Sequence, residues 1–298
     1  MTNLAFANSH LITHGDTNLA NHRDHLEKTE SLALPLAEEL DLLRQLNEFD
    51  FGRFLLKNKG INGYWTAYMI IHGPKKDLSH PLEKWILTRA PIVCATQERF
   101  KIFQQKLQHY VRSHTTLADI PCGLMDSLLL LNYDQTKDVR LVGIDLDPES
   151  IQLAKENSQH HGKAPMVSFK KEDAWNLSAH NEYDVITSNG LNFYEPDDQK
   201  VVALYGQFYK ALKPKGILIT SFLTPPPALS PESTWKKFDT KDLKKQKALF
   251  VDIVQAKFQA FRTEAQTRQQ FESVGFKVLE VIYDKQGMFP TIIAQKFQ

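Results

Sequence analysis

The stretch that decides the fold is LADIPCGLMD, Leu117–Asp126. A run of apolar, strand-forming residues ends in a turn that contains Gly123, and a helical pattern follows. Because glycine has no Cβ, Gly123 lets the backbone approach a bound ligand closely. A strand, turn and helix in this order are typical of α/β domains, which bind ligands at the carboxyl ends of their strands.

The same alternation continues to the end of the chain. The predicted strands are Thr115–Ile120, Arg140–Asp145, Met166–Lys170, Tyr183–Ser188, Gly216–Phe222, Phe276–Tyr283 and Phe289–Phe297. The predicted helices are Gly123–Leu131, Pro148–His160, Asp197–Leu212 and Thr267–Val274. Repeated β–α–β units predict a largely parallel sheet with helices on both faces, and the final two-strand hairpin adds an antiparallel strand. Residues 113–298 are therefore predicted to form one α/β domain.

Three regions lie outside this alternation. Residues 1–30 are polar and are predicted to be a flexible tail; a metal site is not expected from their histidines, which are His10, His14, His22 and His25. Residues 31–112 follow helical spacing and are predicted to be a helical extension. Residues 225–262, after the fifth strand, are predicted to be a Lys-rich helical insertion. A solvated helix face is the favoured interpretation of its charge, and a surface for nucleic acid is the alternative.

The composition is that of an ordinary soluble protein of 298 residues, with 42% apolar residues and a net charge of +1. Two cysteines predict no disulfide framework and fit a reducing compartment. The N-terminus has no signal-peptide pattern, and apolar runs such as Leu128–Leu131 are too short to span a membrane. A cytoplasmic protein without a membrane partner is expected.

Polar residues follow successive predicted strands where each strand ends. Asp145 ends the second strand and can accept hydrogen bonds from both hydroxyls of a ribose. Asp173 and Ala174 follow the third strand, where a carboxylate can bind the amino group of an adenine and a small neighbour leaves room for its ring. Asn189 and Gly190 end the fourth strand. The carboxyl ends of parallel strands share one edge of a sheet, so these residues should face one cleft.

With these motifs the sequence resembles the class I S-adenosylmethionine-dependent methyltransferases. Asp119 with Gly123 resembles the first motif of that family, and Lys210–Phe222 resembles the helix, turn and strand of its fifth unit. The resemblance implies a Rossmann-like seven-stranded sheet whose last strand is antiparallel and lies between the fifth and sixth. It implies S-adenosyl-L-methionine as the cofactor, bound by Asp119, Pro121, Gly123, Asp145, Leu146, Asp173, Ala174 and Asn189. Pro121 and Met125 depart from the family pattern, because they replace its outer glycines.

The acceptor is expected to be a small molecule. Methyl transfer from a sulfonium is an in-line displacement that needs no metal, and candidates for a catalytic base are Asn189, Asn192, Tyr194 and Glu195, with an ordinary loop as the alternative. The fourth strand ends in Ser-Asn-Gly-Leu rather than Asn/Asp-Pro-Pro-Tyr, which argues against exocyclic amino groups of DNA bases. The acceptor pocket is predicted to include Tyr64, Trp65, Tyr68 and His72, which could instead be the core of a helix.

Two other functions are compatible with an α/β domain of this kind. A nicotinamide-dependent oxidoreductase is disfavoured, because the Gly-x-Gly-x-x-Gly phosphate loop is absent. A non-catalytic, regulatory protein on the same scaffold is the main alternative, since no base is evident. Nucleic acid is not an expected partner. The apolar side of the helical extension or of the insertion could support a homodimer.

Overall fold

The computed structural model describes residues 18–236, 239–256 and 260–297. Its strands are β1 Thr116–Asp119, β2 Arg140–Asp145, β3 Val167–Lys171, β4 Tyr183–Ser188, β5 Leu212–Ser221, β6 Phe276–Ile282 and β7 Thr291–Lys296. They form a seven-stranded sheet in the order β3-β2-β1-β4-β5-β7-β6. β1 to β5 pair in parallel, and β7 is antiparallel to both β5 and β6. The Rossmann-like sheet with an inserted antiparallel last strand is thus confirmed.

The α-helices of the described chain are α1 Leu19–Lys28, α2 Leu36–Leu46, α3 Asp50–Asn58, α4 Gly63–Ala67, α5 Pro81–Thr88, α6 Pro91–Tyr110, α7 Asp126–Leu129, α8 Pro148–His160, α9 Asp198–Ala211, α10 Thr240–Lys247 and α11 Glu264–Ser273. π-helical turns, Tyr68–His72 and Ala248–Ile253, directly follow α4 and α10. Several helix starts follow from local chemistry. Asp147, for example, caps α8 by accepting the N–H groups of Glu149 and Ser150.

The sheet is buried on both faces, because alternate side chains of each strand point to opposite sides. On one face, Phe103 and Leu107 of α6 pack in a cluster with Val185, Ile219 and Ile293. The other face is covered by α9 and α11, whose buried residues include Val201, Leu204, Tyr205, Phe208 and Phe271. Each fully buried aromatic or branched side chain contributes roughly 1.5–3 kcal/mol through the hydrophobic effect. This core fixes the strand ends that carry the polar residues.

Two predictions near the ends of elements are corrected. The helix predicted over Gly123–Leu131 is shorter, because Gly123 and Met125 have φ angles of 47° and 63°, outside the helical region. The flexible tail predicted for residues 1–30 is wrong for α1, whose His22 is buried with its ring nitrogens 2.9 and 3.1 Å from carbonyl oxygens of later segments. His10 and His14 lie outside the described residues. Within the described ranges, no cluster of His, Cys, Asp or Glu could hold a metal ion.

The described residues divide into two compact units. Those in the ranges Met1–Ile61, Gly73–Pro91 and Phe238–Lys257 form the first, and those in Asn62–His72, Ile92–Lys237 and Phe258–Gln298 form the second, which contains the sheet. This division differs from the predicted boundary at residue 112. Asp252 and Asp242 explain why part of the insertion joins the N-terminal helices: they accept hydrogen bonds from Ala33 N and from Trp85 Nε1, at 2.8 and 3.1 Å.

The insertion buries only part of the side that its sequence predicts to be apolar. The sequence places Val251, Val254, Phe258 and Phe261 on that side, yet Val251 is 43% exposed and Phe261 is only half-buried. Leu249, Ile253 and Val254 are buried. The π-helical turn has a longer repeat than an α-helix, which shifts the buried positions. Phe258 lies outside the described residues. Among the helices described, none is both long and apolar enough to cross a membrane.

Candidate cofactor and acceptor site

The loop between β1 and α7 is held against the end of β2. Cys122 N donates to Ile144 O at 2.9 Å, and Gly123 N donates to Asp145 Oδ2 at 3.0 Å. The backbone turns back at Gly123, in the left-handed region that favours glycine. Pro121 donates no backbone N–H, and the peptide that precedes it is cis. The loop therefore folds closely onto β2 although Pro121 and Met125 replace the expected glycines.

Asp145 stands at the end of β2 with its carboxylate half-buried. Oδ1 accepts the N–H of Asp147 at 3.0 Å, as Oδ2 accepts that of Gly123. Each carboxylate oxygen can accept a second hydrogen bond, so both remain able to bind hydroxyl groups. The next residue, Leu146, is 61% exposed and offers apolar surface beside them. This arrangement suits a ribose with an attached flat base.

Asp173 and Ala174 lie in the turn after β3, which pairs with β2. Asp173 is exposed, and its Oδ1 accepts the N–H of Trp175 at 3.0 Å. Ala174 is buried, so its small side chain fills the space behind the turn. The second carboxylate oxygen of Asp173 is able to accept a hydrogen bond from an amino group.

Asp119 ends β1 and is only 2% exposed. Its Oδ2 has no hydrogen-bond partner within the described ranges. Burial, with the nearby carboxylates of Asp126 and Asp145, raises the pKa of Asp119 well above its ordinary value. An unpartnered buried acceptor calls for a cationic or N–H group, which the amino acid end of S-adenosylmethionine carries. The residues at this edge of the sheet therefore fit that cofactor.

The four candidates for a base after β4 differ in their surroundings. Asn189 has a buried Oδ1 without a partner in the part of the chain that the structure describes. Asn192 is buried, and its Nδ2 donates to Tyr205 Oη at 3.1 Å and to Ser221 O at 2.8 Å, so it links elements of the domain. Tyr194 is 46% exposed. Asn189 and Tyr194 are thus better placed than Asn192 to meet an acceptor.

Glu195 is held by its own loop, and Arg262, whose role the sequence did not indicate, holds that loop. The Oε1 of Glu195 accepts the N–H of Asp197 at 2.9 Å. Arg262, which is 3% exposed, donates to Asn192 O at 2.9 Å and to Glu195 O at 2.7 Å. Its Nε also pairs with Asp198 at 2.8 Å. The sequence had placed Arg262 among the basic residues of the insertion, where no local signal marks it as buried.

The segment of residues 63–72, which carries the predicted pocket residues and which we call the cap, begins against the loop between β1 and α7. A Cβ built on Gly63, the first residue of α4, would stand 3.0 Å from Gly123 Cα, so the two backbones are in close contact. Trp65 and Tyr68 are buried, with ring centroids 5.2 Å apart. Tyr64 and His72 are half-buried. Trp65 and Tyr68 therefore pack as core residues, while Tyr64 and His72 retain exposed surface.

A set of buried polar residues at α6 and the strands it covers was not predicted from the sequence. Arg99 of α6, Thr187 of β4, Ser221 of β5 and Thr291 of β7 each have a side-chain polar atom without a partner among the described residues. We call these four residues the polar layer. Their signal in the sequence is a polar residue at a position where the strand or helix pattern requires an apolar one.

Comparison with known proteins points to one family. The family described as "Methyltransferase domain" matches residues 112–267. The carboxy-S-adenosyl-L-methionine synthase of Campylobacter hominis is 24% identical over 211 residues, which are 67% of this chain and 85% of that protein. The demethylmenaquinone methyltransferase of Bacteroides fragilis is 28% identical over 112 residues, which are 37% of this chain and 44% of that protein. A crystal structure described as a possible exported protein from Bordetella parapertussis has a TM-score of 0.90 and 42% identity, over 93% of this chain and 94% of that one.

Proposed function

Because the chain belongs to the class I S-adenosylmethionine-dependent methyltransferases, we propose that it methylates a small-molecule acceptor. The polar layer is the observation that carries this proposal. Its hydroxyl groups and guanidinium are buried without partners among the described residues, and Thr187 pairs in register with Asp119. A small ligand can reach and satisfy such groups, whereas a residue or base of a folded macromolecule would have to leave its own structure to do so.

The cofactor supplies an electrophilic methyl group on a sulfonium when it is bound. We assign Asp145 to the ribose hydroxyls, and Asp173 with Ala174 and Leu146 to the adenine. Asp119 would face the ammonium end, and Asn189 would complete this edge of the cleft. Holding the acceptor in line with the methyl group can contribute ~7–11 kcal/mol of the barrier reduction.

The cap would exclude water from the reacting groups. Tyr64 and His72 keep exposed surface, and α4 contacts the loop between β1 and α7 through Gly63. Excluding water strengthens the electrostatic interactions within a site and prevents side reactions. If the acceptor must lose a proton, Tyr194 is placed after β4 to take it as a general base, and Asn189 is placed to orient the acceptor by a hydrogen bond.

The acceptor class can be tested with labelled cofactor. The protein is incubated with S-adenosylmethionine carrying a tritiated methyl group and a metabolite extract of the source organism, from which macromolecules have been removed. A parallel reaction contains the enzyme, the labelled cofactor and the fraction of cellular protein and nucleic acid that was removed from the extract. We expect label in the small-molecule reaction and much less label with Asp145→Ala at the same cofactor concentration. Label confined to protein, RNA or DNA would overturn the proposal.

A further inference from the structure

The polar layer lies on the sheet face that α6 covers, next to the apolar core of that face and toward the carboxyl ends of the parallel strands. Arg99 stands one helical turn before Phe103 on α6, and residues four apart share a helix face. In the strands, Thr187 and Ser221 stand two residues beyond apolar core residues, which places them on the same face. Thr291 takes the corresponding position in antiparallel β7 and pairs with Ser221 in register. Four polar residues therefore occupy one buried level at the carboxyl end of the parallel strands.

This level has unused hydrogen-bonding capacity. Arg99 is 6% exposed, and the three hydroxyl residues are 0%, 0% and 0% exposed. Arg99 Nε and Nη1 and the three hydroxyl oxygens have no partner in residues 18–236, 239–256 and 260–297. Buried polar groups are almost always paired in native proteins, and an unpaired buried charge is particularly unfavourable. A group from outside the chain is the expected partner.

The charge of Arg99 is held by aromatic rings rather than by an ion pair. Its guanidinium carbon lies 5.2 Å from the ring centroid of Phe193 and 4.8 Å from that of Phe289. No carboxylate of the described residues lies within 4.0 Å of it. The carboxylate of Asp284 is near enough to act on it electrostatically but accepts the N–H groups of Gln286 and Phe289, at 2.9 and 2.6 Å. Burial lowers the pKa of Arg99 to about 10, so it remains cationic at neutral pH.

We propose that Arg99 binds an oxyanion of the acceptor, a carboxylate or a phosphate, with the hydroxyl groups of the polar layer completing the site. This inference rests on the proposed function, because it names the chemical class of the small-molecule acceptor. The planar guanidinium presents two N–H groups in the geometry that suits an oxyanion. The layer borders the reacting centre, since Thr187 pairs in register with Asp119.

The position of the layer favours the acceptor over the cofactor as the source of the anion. The carboxylates assigned to the cofactor lie on one side, because Asp119 and Asp145 end β1 and β2 and Asp173 follows β3. Arg99 instead contacts Phe193, after β4, and Phe289, before β7. In the sheet order, β4, β5 and β7 lie on the opposite side of β1 from β2 and β3. The oxyanion would anchor the acceptor on that side and direct the rest of it toward the methyl group.

Three variants test this assignment: Arg99→Met, Arg99→Lys and, as a control on an exposed arginine of the same unit, Arg140→Met. Melting temperature is measured without ligands, and the affinity for S-adenosylhomocysteine is measured by calorimetry. The protein saturated with S-adenosylhomocysteine is then melted in sodium formate, sodium phosphate or sodium chloride at equal ionic strength. Formate represents a carboxylate and phosphate represents a phosphoryl group, so the two anions distinguish the sources.

We expect formate or phosphate to raise the melting temperature of the wild-type and Arg140→Met proteins above that in chloride. Arg99→Met should lose this increase, and Arg99→Lys should retain only part of it, because lysine keeps the charge without the planar fork. Without ligands, Arg99→Met should melt at or above the wild-type temperature, since it removes an unpaired buried charge. Its affinity for S-adenosylhomocysteine should stay within about twofold of wild type.

Four results would overturn the inference. A fall of several degrees in the melting temperature of ligand-free Arg99→Met would show a structural role. A tenfold loss of S-adenosylhomocysteine affinity would mean that Arg99 binds the carboxylate of the cofactor. An equal anion effect in Arg99→Met, or none in the wild type, would mean that the anion does not bind at Arg99. These results are independent of the labelling experiment, in which failure of the proposed function appears as label in macromolecules.

Discussion

Replacement of Gly63 by alanine tests how closely the cap lies on the cofactor loop. The added Cβ would stand 3.0 Å from Gly123 Cα and 3.3 Å from both Gly123 C and Leu124 Cδ1. Carbon atoms pack best at about 3.5–4.0 Å, so α4 or the loop must move by roughly half an ångström. Two of these three atoms belong to backbone, which cannot turn aside as a flexible side chain can.

The size of the effect follows from two opposing contributions. Overpacking a close contact costs ~1–3 kcal/mol, and replacing a helical glycine by alanine returns up to ~1 kcal/mol. We expect a net destabilisation of ~1 kcal/mol, or a fall in melting temperature of ~2–4 °C for a unit of this size. The displaced loop carries Gly123, whose N–H is bonded to Asp145. Affinity for S-adenosylhomocysteine should therefore fall by ~3–10-fold.

Gly60→Ala is the matched control, because a Cβ on Gly60 meets only one atom, Asn58 O, at 3.9 Å. It should leave affinity unchanged and stability equal or slightly higher. Thermal unfolding and calorimetric titration of both variants check the prediction. If Gly63→Ala matches wild type in both measurements, the cap does not press on the loop as described. The proposed role of the cap in excluding water from the reacting groups would then be refuted.

Arg262→Met should destabilise the protein by ~2–4 kcal/mol in urea unfolding, because it leaves the carbonyls of Asn192 and Glu195 without their buried donor. The control Arg268→Met breaks only a partly exposed ion pair and should cost under ~1 kcal/mol. Equal losses of stability in the two variants would contradict this prediction. Burial raises the pKa of Glu39 from 4.5 to about 7 in the folded protein. Between these two values the folded protein keeps a proton that the unfolded chain has released, so stability should fall as the pH rises through about 7. Urea unfolding at pH 5.5 and 8 should show that Glu39→Gln removes this part of the pH dependence and is the more stable protein at pH 8; an unchanged pH dependence would refute it.

The parallel sheet was predictable because its signals are local. Arg140–Asp145 and Tyr183–Ser188 have the predicted bounds, since each is a short apolar run with turn residues on either side. Pro148–His160 also matches, because Asp147 and Pro148 mark its start. The place of the antiparallel last strand between the fifth and sixth followed from the family resemblance.

What the sequence left hidden depends on contacts between distant segments. Arg99 and Thr187 belong to one buried layer although they lie far apart in the chain, and neither position carries a motif. Arg262 belongs to the insertion whose charge was interpreted as a solvated helix face, yet it is buried against the loop after β4. The α1 helix was missed because its polar sequence hides a single buried edge, formed by His22 and Leu26.

The central claim is that S-adenosylmethionine binds at the edge of the sheet where Asp145 ends β2. Calorimetric titration of S-adenosylmethionine and S-adenosylhomocysteine into the wild-type, Asp145→Ala and Asp147→Ala proteins tests it most directly. Asp147→Ala is the control, because it removes the cap of α8 but no proposed cofactor contact. The account predicts saturable binding to the wild type and to Asp147→Ala, and affinity at least ~10-fold weaker for Asp145→Ala, as the loss of about one charge-assisted hydrogen bond implies. Unchanged affinity in Asp145→Ala, or no binding to the wild type, would contradict it.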